Sequence, residues 1–118
     1  MIYFLYGEDS YRSQKKLEEI IAHYKEAHKS GLNLIVSDVK EHKNSFEDFY
    51  SNLRVNSMFA EKKLIILKNI FQDKDFQEEF LKEIKSLEGL KNIIIVFEKD
   101  SVDERNKLFK TLKKVAKF

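Results

Sequence analysis

Four short apolar runs alternate along the chain with four longer segments in which apolar residues recur at helical spacing. The runs are Ile2 to Tyr6, Leu34 to Val36, Leu64 to Leu67 and Ile93 to Phe97. Each is continuously apolar rather than alternating, so both faces of these strands are expected to be covered, as in a mainly parallel sheet. The helical stripes are Leu17, Ile20, Ile21 and Tyr24, then Phe46, Phe49, Tyr50 and Leu53. Phe76, Phe80, Leu81, Ile84 and Leu87 make a third, and Leu108, Phe109, Leu112 and Val115 a fourth. Each stripe is one face of an amphipathic helix and needs a sheet to cover it. Strands alternating with helices predict an α/β domain with helices packed on the sheet.

Local punctuation agrees with these elements. Ser101 with Glu104 reads as a capping box for the last helix, and Ser45 with Asp48 as a weaker one for the second. Gly31 and Gly89 stand where the first and third helices should stop. No proline and no glycine-rich or serine-rich linker interrupts the chain, so residues 1–118 are expected to form one domain. The last helix is expected to run to the end of the chain. A sheet of this kind usually has five or more strands, and Val115 to Phe118 could begin a fifth. The chain looks cut from something longer.

Composition narrows the class. A length of 118 residues suits one core, and 42% hydrophobic residues, with ten phenylalanines and five tyrosines, can offset chain entropy. There is no cysteine, which rules out a disulfide framework or a thiolate metal site and fits a reducing compartment. The opening apolar run is far too short to span a bilayer or act as a signal peptide, so a soluble, cytoplasmic protein without membrane contact is expected. The formal charge of +2, from 22 basic and 20 acidic residues, lacks the one-sided field of a dedicated nucleic-acid binder.

In open α/β sheets ligands bind beyond the carboxyl ends of the strands, which makes the turn Gly7, Glu8, Asp9 and Ser10 the first candidate for chemistry. A P-loop requires a second glycine, a lysine and a hydroxyl at fixed offsets. Counted from Gly7, those positions hold Arg12, Ser13 and Gln14. Glu8 and Asp9 stand where a triphosphate would sit and would repel it. The third strand runs into Lys68 and Asn69 and supplies no carboxylate for magnesium. The loop therefore reads as a degenerate nucleotide site, with no cofactor, no metal and no catalytic residue; Asp9 or Ser10 as a helix cap is its plainer role.

Other features carry less. Lys107, Lys110, Lys113, Lys114 and Lys117 share a broad face of the last helix, suited to DNA phosphate, to an acidic partner or simply to solvent. His23, His28 and His42 are too separated for a metal cluster or a dyad. Glu98, Asp100 and Asp103 gather after the fourth strand, where capping of the next helix explains them as well as ligand binding does. No serine or threonine lies in a nucleophile motif.

Met58 and Phe59 are different. They follow Asn56 and Ser57, fall outside the stripe that ends at Leu53, and precede the charged Glu61, Lys62 and Lys63. A methionine and an aromatic beside charged residues is the composition of a small binding hot spot. The alternative is that Phe59 tucks under the sheet.

Three segments, IYFLYGEDSYRSQKKL, VNSMFAEKKLIILKNI and FEKDSVDERNKLFKTLKK, together resemble the delta subunit family of bacterial DNA polymerase III clamp loaders. The resemblance spans nearly the whole chain, and the middle segment is its most specific part. It implies a three-layer AAA+-like (P-loop NTPase-like) first domain, with a mainly parallel sheet of four to five strands and no working nucleotide site. It also implies a hydrophobic step that enters a pocket on the β sliding clamp. Ser57, Met58 and Phe59 match that step, with methionine in place of the more usual leucine, a mild exchange of similar volumes. Family members help open the clamp during loading onto primed DNA, while neighbouring motor subunits hydrolyse ATP. Their second small domain and helical collar, which assemble with the other loader subunits, have no counterpart here. DNA contact is expected to be indirect or weak.

Two other classes stay in view. A divergent P-loop nucleotide-binding enzyme would show nucleotide affinity, against which the missing lysine and carboxylate argue. A receiver-like signalling domain could use Glu8 and Asp9 as its acidic pair, but it needs an aspartate at the end of the third strand, where Lys68 and Asn69 stand.

Overall fold

The computed structural model describes residues 1–7, 10–27, 34–39, 46–54, 62–99 and 102–116. The four apolar runs become strands β1 (Ile2–Leu5), β2 (Leu34–Asp38), β3 (Leu64–Lys68) and β4 (Ile93–Phe97). The stripes become helices α1 (Ser10–Ala27), α2 (Phe46–Arg54), α3 (Lys74–Glu88) and α4 (Lys107–Val115), with a 3-10 turn at Ile70–Gln72. The strands lie in the order β1-β4-β3-β2, all parallel. Ile2 faces Ile94, Ile65 faces Ile94 from the other side, and Leu34 faces Leu64.

The side-chain alternation of the strands divides the core in two. On one face Ile2, Phe4, Ile65, Leu67, Ile94 and Val96 pack under α2, α3 and α4. On the other, Leu5, Leu64, Ile66, Ile95 and Phe97 pack under α1 through Leu17 and Tyr24. Helix, sheet, helix is thus the layer order. Phenylalanines join the helices of the thicker layer: Phe46 of α2 meets Phe76 of α3 edge-on at 5.5 Å, and Phe49 stacks on Phe80 at 6.0 Å. Such pairs add to the area they bury because ring edges and faces carry opposite partial charge.

Several details depart from the sequence expectation. Full cover on both faces holds for β3 and β4, the inner strands, but Val36 on the edge strand β2 is 54% exposed. The last helix begins at Lys107 rather than near Ser101: Asn106 is its N-cap, and the Asn106 side chain accepts the Phe109 N–H at 3.1 Å. Glu104 lies in the turn ahead of the helix, and Ser101 lies outside the described residues. The last helix stops at Val115 instead of continuing to the end, because Ala116 takes extended dihedrals; Val115 is therefore helical, and Lys117 and Phe118, the rest of the expected fifth strand, lie outside the described residues. The third helix does stop at Gly89 as expected, in ordinary right-handed geometry with φ −76°. Asp73 caps its start, accepting the Phe76 N–H at 3.1 Å. The second helix begins at Phe46, directly after Ser45, which with Gly31 lies outside the described residues.

Candidate functional site

The carboxyl ends of the strands meet at one edge of the sheet, and the polar groups there are largely engaged with one another. Gly7 follows β1 with φ 126°, a conformation that L side chains rarely adopt, which accounts for glycine at this turn. Glu8 and Asp9 lie outside the described residues, as does the expected capping by Asp9 or Ser10; α1 starts at Ser10. The Ser13 hydroxyl, at the position a P-loop gives to lysine, lies 3.4 Å from the Tyr6 carbonyl oxygen.

At the end of β3, Asn69 adopts the left-handed region with φ 63°. Its side-chain amide donates to Asp38 Oδ1 at 2.9 Å, and its backbone N–H donates to the Phe97 carbonyl at 3.2 Å. Glu98, buried at 2% exposure, accepts the Phe71 N–H at 3.1 Å and so fastens the 3-10 turn to the end of β4. Its carboxylate thereby caps that turn. Asp103 is exposed and holds Arg105 through a two-point contact at 3.2 and 3.1 Å, which keeps its carboxyl below the usual range. Asp100 lies outside the described residues. No group of three histidine or acidic side chains suited to a metal occurs among the described residues.

The basic face of α4 exposes Lys107, Lys110, Lys113 and Lys114, while Lys117 lies outside the described residues. Lys113 folds back: its Nζ donates to the Tyr6 hydroxyl at 2.8 Å and sits 5.6 Å from that ring, and the hydrogen bond raises its pKa. His23 is exposed on α1; His28 and His42 lie outside the described residues.

Ser57, Met58 and Phe59 also lie outside the described residues, but both flanks of their segment, 55–61, are defined. On the upstream side α2 ends at Arg54 with Phe46, Phe49 and Leu53 buried against α3. On the downstream side Lys62 and Lys63 enter β3 through a set of hydrogen bonds from three other elements. The Tyr24 hydroxyl of α1 donates to the Lys62 carbonyl. The Lys63 N–H donates to Asn92 Oδ1 at 3.1 Å, and its carbonyl accepts the Ile93 N–H at 2.9 Å. The Lys63 ammonium donates to the Asn52 carbonyl in the last turn of α2, joining the two flanks. Lys63 is only 6% exposed, and burial lowers its pKa.

Sequence reasoning missed this arrangement. A lysine beside two other charged residues reads as solvated, and the only signal of a polar role for Tyr24 is its hydroxyl at the end of an apolar stripe.

A parallel sheet in the order β1-β4-β3-β2, with helices on both faces and a strand–turn–helix unit at its head, defines a three-layer α/β domain of AAA+-like layout. The chain belongs to the family of DNA polymerase III delta subunits: the family described as "DNA polymerase III, delta subunit" matches residues 3–118. Among solved structures, the Bacillus subtilis DNA clamp loader delta protein (YqeN) is similar, with a TM-score of 0.72 and 23% identity. The match covers 98% of this chain but 36% of that protein, so the chain spans about a third of its length. Among curated proteins, none matches significantly. No helix among the described residues is long and apolar enough to cross a membrane.

Proposed function

We propose that this domain grips the β sliding clamp through Ser57, Met58 and Phe59 and helps open the ring for loading onto primed DNA, without binding or hydrolysing ATP itself. Membership of the delta family over residues 3–118 carries the reading. Two structural facts support it. The α2 stripe of Phe46, Phe49 and Leu53 is buried in the core and ends ahead of the segment. Both flanks of the segment are tied to neighbouring elements.

A methionine–phenylalanine pair offers a flexible thioether and a rigid ring to an apolar socket, a pairing common at the centre of interfaces. Binding alone opens nothing. The contact shifts the clamp toward its open form only by the difference between its affinities for the open and closed rings. The work of cycling the contact falls to ATP-hydrolysing neighbours, which family members meet through regions beyond this domain. Any DNA contact, for which exposed lysines of α4 are available, is secondary, and a cytoplasmic setting follows from the replication role.

The rival reading as a nucleotide-binding enzyme requires lysine and magnesium ligands at the carboxyl edge, where Ser13, Asn69, Asp38 and Glu98 instead make the contacts described above. Calorimetric titration against the β clamp of the same source, with Met58→Ala/Phe59→Ala as the comparison, tests the proposal. Equal binding by both proteins refutes the site, and magnesium-dependent ATP binding by the wild type refutes the non-enzymatic half.

A further inference from the structure

We propose that Tyr24, Lys63 and Asn92 are positioning residues for the clamp contact: from α1 and from the entries to β3 and β4 they hold the downstream flank of segment 55–61, and Lys63 ties that flank to the last turn of α2. The inference rests on the reading of Ser57, Met58 and Phe59 as the contact.

The reason begins with Lys63. A buried ammonium costs stability that an apolar side chain of similar volume does not, so its presence calls for a role other than packing. The cost is real here, since burial lowers the Lys63 pKa. What the ammonium gains is the Asn52 carbonyl, at the end of a helix where the macrodipole is negative and carbonyls lack intrahelical partners. Asn52 precedes segment 55–61 and Lys63 follows it, so one hydrogen bond joins its two flanks.

The other two contacts hold Lys62 and Lys63 against the rest of the domain. Tyr24 projects from the buried stripe of α1 and reaches the Lys62 carbonyl with its hydroxyl, the one part of the side chain that phenylalanine lacks. Asn92 precedes β4, and its side chain takes the Lys63 N–H just ahead of the β3 ladder. The Asn92 carbonyl in turn accepts from the Met1 nitrogen at 3.1 Å, linking the anchor to the start of β1. Segment ends held in this way leave less chain freedom to be lost when the clamp is bound, which strengthens binding without adding any contact to the clamp.

The test uses this 118-residue chain and the β clamp of the same source. Calorimetric affinity and thermal unfolding are measured for the wild type, Lys63→Met, Lys63→Arg, Tyr24→Phe and Met58→Ala/Phe59→Ala. Lys63→Met and Tyr24→Phe are each expected to bind about tenfold more weakly, the size of one hydrogen bond, and chiefly through faster dissociation. Lys63→Met should melt at or above the wild-type temperature, so its binding loss cannot be assigned to a weakened fold. Lys63→Arg, which still donates, should recover part of the affinity.

If the double alanine variant loses binding while Lys63→Met and Tyr24→Phe both bind as the wild type does, the positioning role is refuted and the contact stands. If the double variant binds normally, the contact itself is refuted and the positioning role falls with it. Tyr24→Phe keeps the ring in its core site and decides the matter should Lys63→Met prove poorly folded.

Discussion

The amide of Asn69 donates to Asp38 Oδ1 across 2.9 Å, joining the carboxyl ends of β3 and β2 at the edge where related folds hold a nucleotide. Among the described residues Asn69 is also the one non-glycine position with positive φ, at 63°. Asparagine suits both duties, because its short amide tolerates the left-handed region and still reaches a neighbour.

Two substitutions separate those duties. Asn69→Ala loses the hydrogen bond and places a Cβ in a disfavoured conformation, and the sum should be about 2 kcal/mol of stability. Asn69→Gly relieves the conformational part and should cost about 1 kcal/mol. Urea unfolding of both variants measures the difference, and equal losses would show that backbone geometry contributes nothing at this position.

Asn106 caps α4 by accepting the Phe109 N–H and also donates to Gln77 Oε1 at 2.8 Å, bridging α4 to α3. Asn106→Ala should lower stability by about 1–2 kcal/mol. Glu104→Ala, in the exposed turn ahead of the helix, should stay within about 0.5 kcal/mol. A larger loss for Glu104 than for Asn106 in thermal unfolding would reinstate the capping box that the sequence suggests.

That contrast shows what was legible. The four strands and four helical stripes could be read because apolar side chains of β3 and β4 are buried on both faces and because the helices bury one stripe each. Ends were harder. Ser101 with Glu104 and Asn106 are both sound caps on local grounds, and the choice fell to tertiary context: Leu108, Phe109 and Leu112 reach the core, and Asn106 meets Gln77. Val36 reads like its neighbours but sits on the edge strand, where cover depends on which helix lies above it. At the candidate site, residue type singles out Met58 and Phe59, which lie outside the described residues, and the family resemblance implies the clamp as their partner. The anchor made by Tyr24, Lys63 and Asn92 could not be read, since its members are dispersed along the chain and a buried lysine looks in sequence like any exposed one.

Lys63 also predicts a pH dependence. Burial holds its pKa below the usual 10.5, so the native chain binds this proton less tightly than the unfolded chain does. Below the native value both states are protonated and the full cost of burial is present. As pH rises from there toward 10.5 the native state gives up its proton first, and stability increases. Lys63→Met lacks the group, so its advantage over the wild type should narrow across that alkaline window. Urea unfolding of the pair from neutral pH up to 10.5 measures the change, and a constant gap would mean that Lys63 is not desolvated.

The proposed clamp contact has its own expected magnitude. Truncating a central aromatic at an interface usually costs about 2 kcal/mol or more, so Phe59→Ala should weaken clamp binding by about thirtyfold or more. Met58→Leu, nearly equal in volume, should change affinity by less than about tenfold. Both should unfold at the wild-type temperature. A Phe59→Ala protein that melts much lower and binds no worse than its folded fraction allows would place the ring in the core instead.

The pairing of β1 with β4, Ile2 opposite Ile94, has a consequence for synthesis. Of the four strands described, β1 is made before the others and its neighbour β4 after them, so β1 must wait, unzipped, while β2 and β3 are made. Adjacent β3 and β4 can find each other sooner because far less chain has to be looped between them. During that interval β1 is an apolar strand without its mate, surface of the kind that chaperones cover.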